Sequence, residues 1–378
     1  MTSLAVAAVS ARLLAEAAAR DGFDVMALDL FGDVDTRRGA RRWCPIGSAG
    51  SQRIDATMLL AALDGVARGS DVIAWVPGSG FDGDADLLEQ GAAVLPLAGT
   101  AANDVRRLRD PRQFFACLDS RGIGHPAVRD EPPASADGWL AKDAGGCGGW
   151  HIRRATQAAG RALTPGVYFQ REAAGTPMSV TFLANGRDAR VLGVNRLLVR
   201  RIGLHPFVFC GVVGPVPVAD AVMRRLDIAV RHLAAEFDLR GLASLDFLLD
   251  GDDIAVLEVN PRPPASLALY PEVDGTGVMT AHLRACLQGE LPAAVSPAVS
   301  PVRGIEIVFA RRPLRIGEAG ALRLAGWPGC HDLPHAGTLF APGDPVCSLQ
   351  VSGARADHVE TRLASGREAL LATLETMP

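Results

Sequence analysis

The sequence predicts a mixed α/β chain that opens on a parallel sheet and passes into an α+β region. Two observations carry this. Strand and helix signals alternate over residues 1 to about 100, which is the pattern of a parallel sheet with crossover helices. Further along, two strands of matched length, Gly241–Gly251 and Asp253–Arg262, meet at the turn "DGDD" and read as an antiparallel hairpin. At 378 residues the chain exceeds one ordinary core, so two or three domains are expected.

The elements follow in order. "SLAVAAVS" reads as a buried strand, and "ARLLAEAAARDGF" as a helix ended by Gly22. "DVMALDLFGD" gives a second strand, "ATMLLAALDGVARG" a helix and "DVIAWVPGSG" a third strand. "FDGDADLLEQGAAVLPLAG" fits a loop, a helix and a short strand. A helix follows Asp110–Pro111, and "EPPASADG" is an exposed loop by composition. The strands "WLAKDA", "VYFQREA", "MSVTFLANG" and "RVLGVNRLLV" come next, then the helix "ADAVMRRLDIAVRHLAAEFDL" and the hairpin. "TGVMTAHLRACLQGE" is a helix, and "LPAAVSPAVSPVRG" a Pro/Ser-rich linker. The tail, through "LRLAGWPGCHDLPHAGTLFAPGDPVCSLQVSG", reads as short strands and turns before a last helix, "ADHVETRLASGREALLATLE".

Composition narrows the function. Apolar residues make up 48% and charged residues 21%, the balance of a globular chain. A net charge of −4, with no arginine run longer than a pair, argues against a nucleic-acid surface. The seven cysteines are scattered and odd in number, which suits reduced thiols and a cytoplasmic location. The N-terminus lacks a basic signal-peptide start, and no apolar run reaches membrane-spanning length.

Three stretches carry chemistry. In the hairpin, strand alternation puts Glu258, Asn260 and Arg262 on one face, with Leu257 and Val259 turned into the core. Asp246 interrupts the otherwise apolar first strand. Two carboxylates and an amide oxygen are hard ligands that suit Mg²⁺ with substrate phosphates, and an adjacent arginine suits a phosphoryl group. Asp246 taken alone reads equally as a solvated strand residue. The second stretch is "LAKDAGGCGGW", where Lys142, the one lysine of the chain, precedes Gly145, Gly146, Gly148 and Gly149. Backbone N–H groups of such a turn can fold over phosphate oxygens. A slender ammonium reaches where a planar guanidinium does not, which is a reason to keep one lysine in an arginine chain. The third is "YFQREAAG", where Gln170, Arg171 and Glu172 close a strand; an ordinary strand end looks the same.

In this order the stretches resemble the ATP-grasp ligases, whose closing Asp … Glu-x-Asn-Pro-Arg pattern is matched by Asp246, Glu258, Asn260, Pro261 and Arg262. The resemblance implies a Rossmann-like N-terminal domain over residues 1–100. It implies a two-subdomain ATP-grasp over 101–290, divided near 170, and a small β-rich C-terminal extension over 291–378. It further implies Lys142 on the α-phosphate, Gly145–Gly149 over the β- and γ-phosphates, and Gln170, Arg171 and Glu172 at the adenine hinge. Asp246, Glu258 and Asn260 correspond to Mg²⁺ ligands, with Mn²⁺ as an alternative metal, and Arg262 to the group steadying the transferred phosphoryl. Two departures stand out: Pro177 occupies the place of a common hinge glutamate, and "NDV" replaces Asn-Asp-Lys, removing a second ATP-contacting lysine. Arg196, in "GVNRLLVRR", reads either as a cation meeting a carboxylate or phosphate or as a surface arginine. The eight histidines read as incidental.

The implied activity is ATP-dependent joining of a small-molecule carboxylate to an amine through an acyl phosphate. The N-terminal stretch is similar to ATP-grasp proteins of methanofuran-type cofactor synthesis, which make amide bonds to glutamate. A biotin carboxylase-like subunit and a non-catalytic nucleotide binder stay open as other readings. No nucleic acid or membrane partner is expected, and a homodimer is left open.

Overall fold

The computed structural model describes residues 2–48, 50, 52–69, 71–158, 166–293 and 301–376. Residues 294–300, half of the Pro/Ser-rich linker, lie outside the described residues.

The N-terminal strands β1 (Ser3–Ala7), β2 (Asp24–Asp29), β3 (Arg42–Pro45) and β4 (Val72–Pro77) form a parallel sheet in the order β3-β2-β1-β4. β1 is buried along its whole length, as a central parallel strand covered on both faces must be. Helix α1 (Arg12–Arg20) buries Leu14, Ala15, Ala17 and Ala18. It closes where Gly22 takes φ +86°, letting the Phe23 N–H donate to the Ala18 carbonyl at 3.0 Å. β3 has no counterpart in the sequence reading, because only four residues separated by polar arginines mark it.

A second, four-stranded sheet holds β5 (Val128–Arg129), β6 (Trp139–Asp143), β7 (Ile152–Arg154) and β8 (Val167–Arg171), ordered β5-β8-β6-β7. The third sheet dominates the molecule. Its strands are β9 (Thr176–Asn185), β10 (Ala189–Ile202), β11 (His205–Gly214), β12 (Arg240–Asp250), β13 (Asp253–Asn260), β14 (Val302–Phe309), β15 (Cys330–His331) and β16 (Pro345–Gly353). They run in the order β13-β12-β9-β10-β11-β14-β16-β15. Three strands of the C-terminal region, β14, β15 and β16, therefore extend the sheet begun by the hairpin, while Leu314–Arg315 and Leu339–Phe340 pair apart from it. Strand β11 was not anticipated; "HPFVFCGVVG" alternates poorly, being buried on both faces over its second half.

One face of this sheet is closed by helices. α2 (Asp220–Glu236) buries Val222, Leu226, Ala229, Val230 and Leu233 against Phe182, Leu245 and Phe247. α3 (Ala356–Thr376) packs Val359, Leu363, Leu370, Leu371 and Leu374 against Val213 and Val308. The tail is not all strands and turns: Glu318–Ala325 is a helix, buried at Gly320 and Leu324. The opposite sheet face is left to line a cleft.

Candidate active site

The cleft has a volume of about 480 Å³ and lies between the two antiparallel sheets, with the ends of β1 and β4 above it. The hairpin supplies its acidic wall. Asp246 of β12 pairs in register with Glu258 of β13, and Ser244 with Asn260, so all four side chains share the cleft face. The register shifts between Asp246 and Phe247, leaving Leu257 as an extra residue. That bulge corrects one expectation: Leu257 lines the cleft beside Glu258 instead of entering the core, while Val259 is buried as expected.

Asn260 binds its neighbours: Nδ2 donates to Asp246 Oδ2 at 3.3 Å and to Ser244 Oγ at 3.4 Å. Its amide oxygen accepts from Arg262 Nη2 at 3.4 Å. Burial, then the proximity of Glu258, pushes the Asp246 carboxyl up to about 8. The Lys142 ammonium offsets this pair only in part, and Arg262 is committed to Asp82, so a hard dication would offset the remaining negative charge. The donor set of Asp246, Glu258 and the Asn260 oxygen therefore fits Mg²⁺.

Across the cleft, β6 and β8 carry Lys142 and Gln170, which the sequence resemblance assigns to the nucleotide. Leu140 pairs with Gln170 and Lys142 with Tyr168, so strand alternation brings Leu140, Lys142 and Gln170 to one face. Lys142 is 3% exposed. Burial lowers its pKa, with Glu258 and Asp246 opposing. Gln170 is among the cleft-lining residues and is buried, and its Nε2 has no hydrogen-bond partner, an unsatisfied donor. Arg171 donates from Nη1 to the Asp137 carbonyl at 3.1 Å, and Glu172 accepts from Arg154 Nη1 at 2.6 Å.

The glycine turn splits into two parts. Gly148 and Gly149 line the cleft, at φ +64° and +80°. A Cβ on Gly149 would collide with the Phe207 carbonyl oxygen, so only glycine lets the turn lie on β11. There the Phe209 N–H donates to the Gly148 carbonyl at 2.9 Å. Gly145 and Gly146 do not line the cleft; they pack beneath it, Gly145 against Gly83 and Gly146 against the His151 ring.

Arg196 is corrected. On β10 the cleft face belongs to Leu197 and Val199, so Arg196 points to the helix-covered face and pairs with Glu360 of α3 at 2.8 Å. It cannot meet a nucleotide in the cleft. Conversely, His151 is not incidental in position: its Nε2 stands 3.8 Å from Glu258 Oε2, and burial lowers the ring's pKa.

Sequence reasoning missed Asp82 and Arg109. Asp82, on the loop after β4, accepts from Arg262 Nε at 3.0 Å and from Arg109 Nη2 at 2.6 Å. Burial alone would raise Asp82, and the two guanidiniums outweigh it, holding its carboxyl below the usual range. Asp82 thereby fixes the direction of Arg262 from a part of the chain 180 residues away. No local pattern marks it.

A family model described as an ATP-grasp domain matches residues 109–266. The carbamoyl phosphate synthase arginine-specific large chain of Bacillus subtilis is 21% identical over 242 residues, 60% of this chain and 23% of that one. The carbamoyl phosphate synthase large chain of Kocuria rhizophila is 30% identical over 151 residues, 35% of this chain and 13% of that one. This chain thus spans a quarter or less of the length of these relatives. Among solved structures, biotin carboxylase from Campylobacter jejuni, described as a β-γ-ATP complex, superposes with a TM-score of 0.73 at 14% identity, covering 99% of this chain and 95% of that one. L-amino acid ligase from Bacillus licheniformis gives 0.72 at 14% identity, with 97% of each chain covered. N5-carboxyaminoimidazole ribonucleotide synthetase from Thermus thermophilus gives 0.68 at 16%, covering 100% and 99%. At these identities the likeness is one of fold.

Proposed function

Because the chain carries an ATP-grasp domain, we propose that it is an ATP- and Mg²⁺-dependent ligase joining a carboxylate to an amine through an acyl phosphate. The observation that carries this reading is the convergence of Asp246, Glu258, Asn260, Lys142 and Arg262 on one cleft, beside the unpartnered Gln170 amide. We take the carboxylate to come from an amino acid such as glutamate, its reacting end beside Arg262.

In this reading a substrate carboxylate oxygen attacks the γ-phosphorus of ATP, and ADP leaves with the bond's electron pair. A neutral amine then attacks the acyl carbon, phosphate departs and the amine's proton passes to solvent. The protein positions and neutralises; it forms no covalent bond itself. Gln170 Nε2 donates to an adenine ring acceptor, and Glu172, held by Arg154, takes the ribose in place of the residue that Pro177 replaces. Lys142 reaches the α-phosphate. Arg262, its direction set by Asp82, faces the transferred phosphoryl. Asp246, Glu258 and Asn260 would hold Mg²⁺, which neutralises phosphate charge when bound. The Gly148–Gly149 turn covers the site and keeps water from the acyl phosphate. Among the described residues no helix is long and apolar enough to cross a membrane, and the seven cysteines are free, which suits a reducing compartment.

The test is ADP release from Mg·ATP with panels of amino acids and amines, with and without bicarbonate. Release that needs both a carboxylate and an amine supports the ligase. Dependence on bicarbonate indicates a carboxylase, and no release with any pair indicates a binder.

A further inference from the structure

The floor of the cleft changes character from strand to strand. It begins at the acidic hairpin residues and crosses Ser179 of β9. It continues over Leu197 and Val199 of β10 and Phe209 of β11 to Ser348 of β16 and Asp332 at the far edge. Ser179 pairs in register with Asp246, so the first hydroxyl of the floor lies one strand spacing, about 5 Å, from the carboxylates. Ser266 joins it from the 3₁₀ turn Ala265–Leu269, four residues after Arg262, and both Ser266 and Arg262 line the cleft.

Behind these serines runs a buried chain of hydrogen bonds. Tyr270 Oη donates to Asn195 Oδ1 at 2.6 Å. Asn195 Nδ2 donates to Thr181 Oγ1 at 2.9 Å and to Ser179 Oγ at 3.4 Å. Thr181 Oγ1 stands 2.6 Å from Ser266 Oγ. Asn195 and Thr181 are 0% exposed, and Ser266 is 4% exposed. Two glycines make room for the chain: a Cβ on Gly193 would collide with Tyr270 Oη, and one on Gly214 with Asn195 Oδ1.

Counting protons fixes the direction of the last bond. The Asn195 oxygen accepts from Tyr270, so its amide nitrogen donates and Thr181 Oγ1 accepts. Thr181 then has one proton to place. It is out of reach of solvent, and among the described residues its remaining hydroxyl partner is Ser266. Were Ser266 to donate to Thr181 instead, the Thr181 proton would be buried without an acceptor, which is the costly arrangement. Thr181 therefore donates, and the Ser266 proton is left over. Among the described residues Ser266 Oγ has no hydrogen-bond partner besides Thr181, so the almost wholly buried, cleft-lining hydroxyl holds an unused donor.

We infer that Ser266 binds the substrate, its hydroxyl donating to an oxygen of the reacting carboxylate, and that Tyr270, Asn195 and Thr181 are positioning residues that hold the donor in that direction. This deepens the ligase reading and rests on it, since there the carboxylate lies beside Arg262. A carboxylate suits the position because it only accepts. The oxygen that meets Ser266 is the one that stays on carbon while its fellow attacks the γ-phosphorus. When the amine adds to the acyl carbon, that same oxygen takes the electron pair of the carbonyl bond, and a fixed O–H meets the new charge without reorganising. The pair returns to the carbonyl as phosphate leaves. Ser266 gives up no proton in either step.

The test is calorimetry on the full chain with Mg²⁺ and a non-hydrolysable ATP analogue, titrated with L-glutamate and with acetate as the bare carboxylate. Ser266→Ala is expected to lower the affinity for each carboxylate about tenfold or more and to leave nucleotide uptake intact. Ser266→Thr restores the hydroxyl and should bind within about threefold of wild type. Tyr270→Phe removes the first donor, lets the Asn195 amide reverse and turns the Ser266 proton onto Thr181. It should weaken carboxylate binding by about threefold or more, although Tyr270 does not line the cleft. A chain with a purely structural role would lose stability in Tyr270→Phe and keep its carboxylate affinity. Affinity unchanged in Ser266→Ala or in Tyr270→Phe, or lost as far in Ser266→Thr as in Ser266→Ala, overturns the inference. So does a wild type that takes up nucleotide and neither carboxylate. Carboxylate binding that depends on Ser266 in a chain taking up no nucleotide would instead sink the ligase reading and leave the Ser266 site standing.

Discussion

At one end of the cleft, Asp246 and Glu258 face each other in register with no guanidinium of their own; Arg262, the nearest arginine of that wall, is turned to Asp82. At the other end, Asp332 has Arg12 bound to it through two nitrogens. Both ends are acidic and poorly solvated. The first is offset only in part, by the Lys142 ammonium, as suits a site that would accept and release a soluble cation. The second supplies its own buried cation, as a site that must stay rigid does. The difference separates a place where charge arrives with the ligand from a place where the protein has fixed the charge in advance.

The largest expected effect lies at the first end. Glu258→Gln removes a charge from the proposed metal-binding set, and ADP release should fall about a thousandfold with the fold retained. Unchanged release in a steady-state assay would remove the contrast altogether.

At the second end Arg12→Ala should act on stability instead. It leaves Asp332 and Glu16 without their buried partner, and urea denaturation should show a loss of about 3 kcal/mol. A loss below about 1 kcal/mol would mean that the far end is as adaptable as the near one.

Smaller per pH unit, and sharper, is the response to pH. Each end has one carboxyl raised to about 8: Asp246 by burial and Glu258, Asp33 by burial and then Asp332, Asp29 and Asp35. A carboxyl whose folded pKa is raised contributes stability that is complete below its unfolded pKa near 4 and is lost as pH rises through about 8. Metal-free protein should therefore weaken between pH 5 and 9, by up to about 1 kcal/mol per pH unit for each group. Mg²⁺ should cancel the share of Asp246, because it favours the ionised form, and leave that of Asp33. Asp33→Asn should remove the remainder. Denaturation curves at pH 5, 7 and 9, in chelator and in Mg²⁺, measure both shares; a Mg²⁺ effect equal in wild type and Asp246→Asn would refute the assignment.

How much of this could be read from the sequence varies with the range of the interaction. The hairpin was legible because alternation is a local rule, and its motif residues fall at fixed spacing. It failed at Leu257, where a bulge breaks the alternation without any marker in "AVLEVN". Arg196 was misplaced for a related reason: a strand fixes which residues share a face, but not which face meets the cleft. His151 and the glycine turn were adjacent in sequence to Lys142, and still their division into cleft-lining and supporting residues depended on Gly83 and β11. The helix Glu318–Ala325 was hidden by its neighbours, since "PGC" and "LPHAG" made the whole tail read as turns.

What the sequence alone determined is the local chemistry: the alternating opening elements, the Asp246–Arg262 motif, the single lysine before its glycines, and through them the resemblance to the ATP-grasp ligases. Those features follow from backbone periodicity and residue type, which act over a few positions. Only the tertiary structure decided that Asp82 aims Arg262, that β14, β15 and β16 extend the hairpin's sheet, and that Arg12 and Asp332, 320 residues apart, close the cleft. Charge pairing and cleft walls depend on distance in space, and distance in space between remote segments is set by packing.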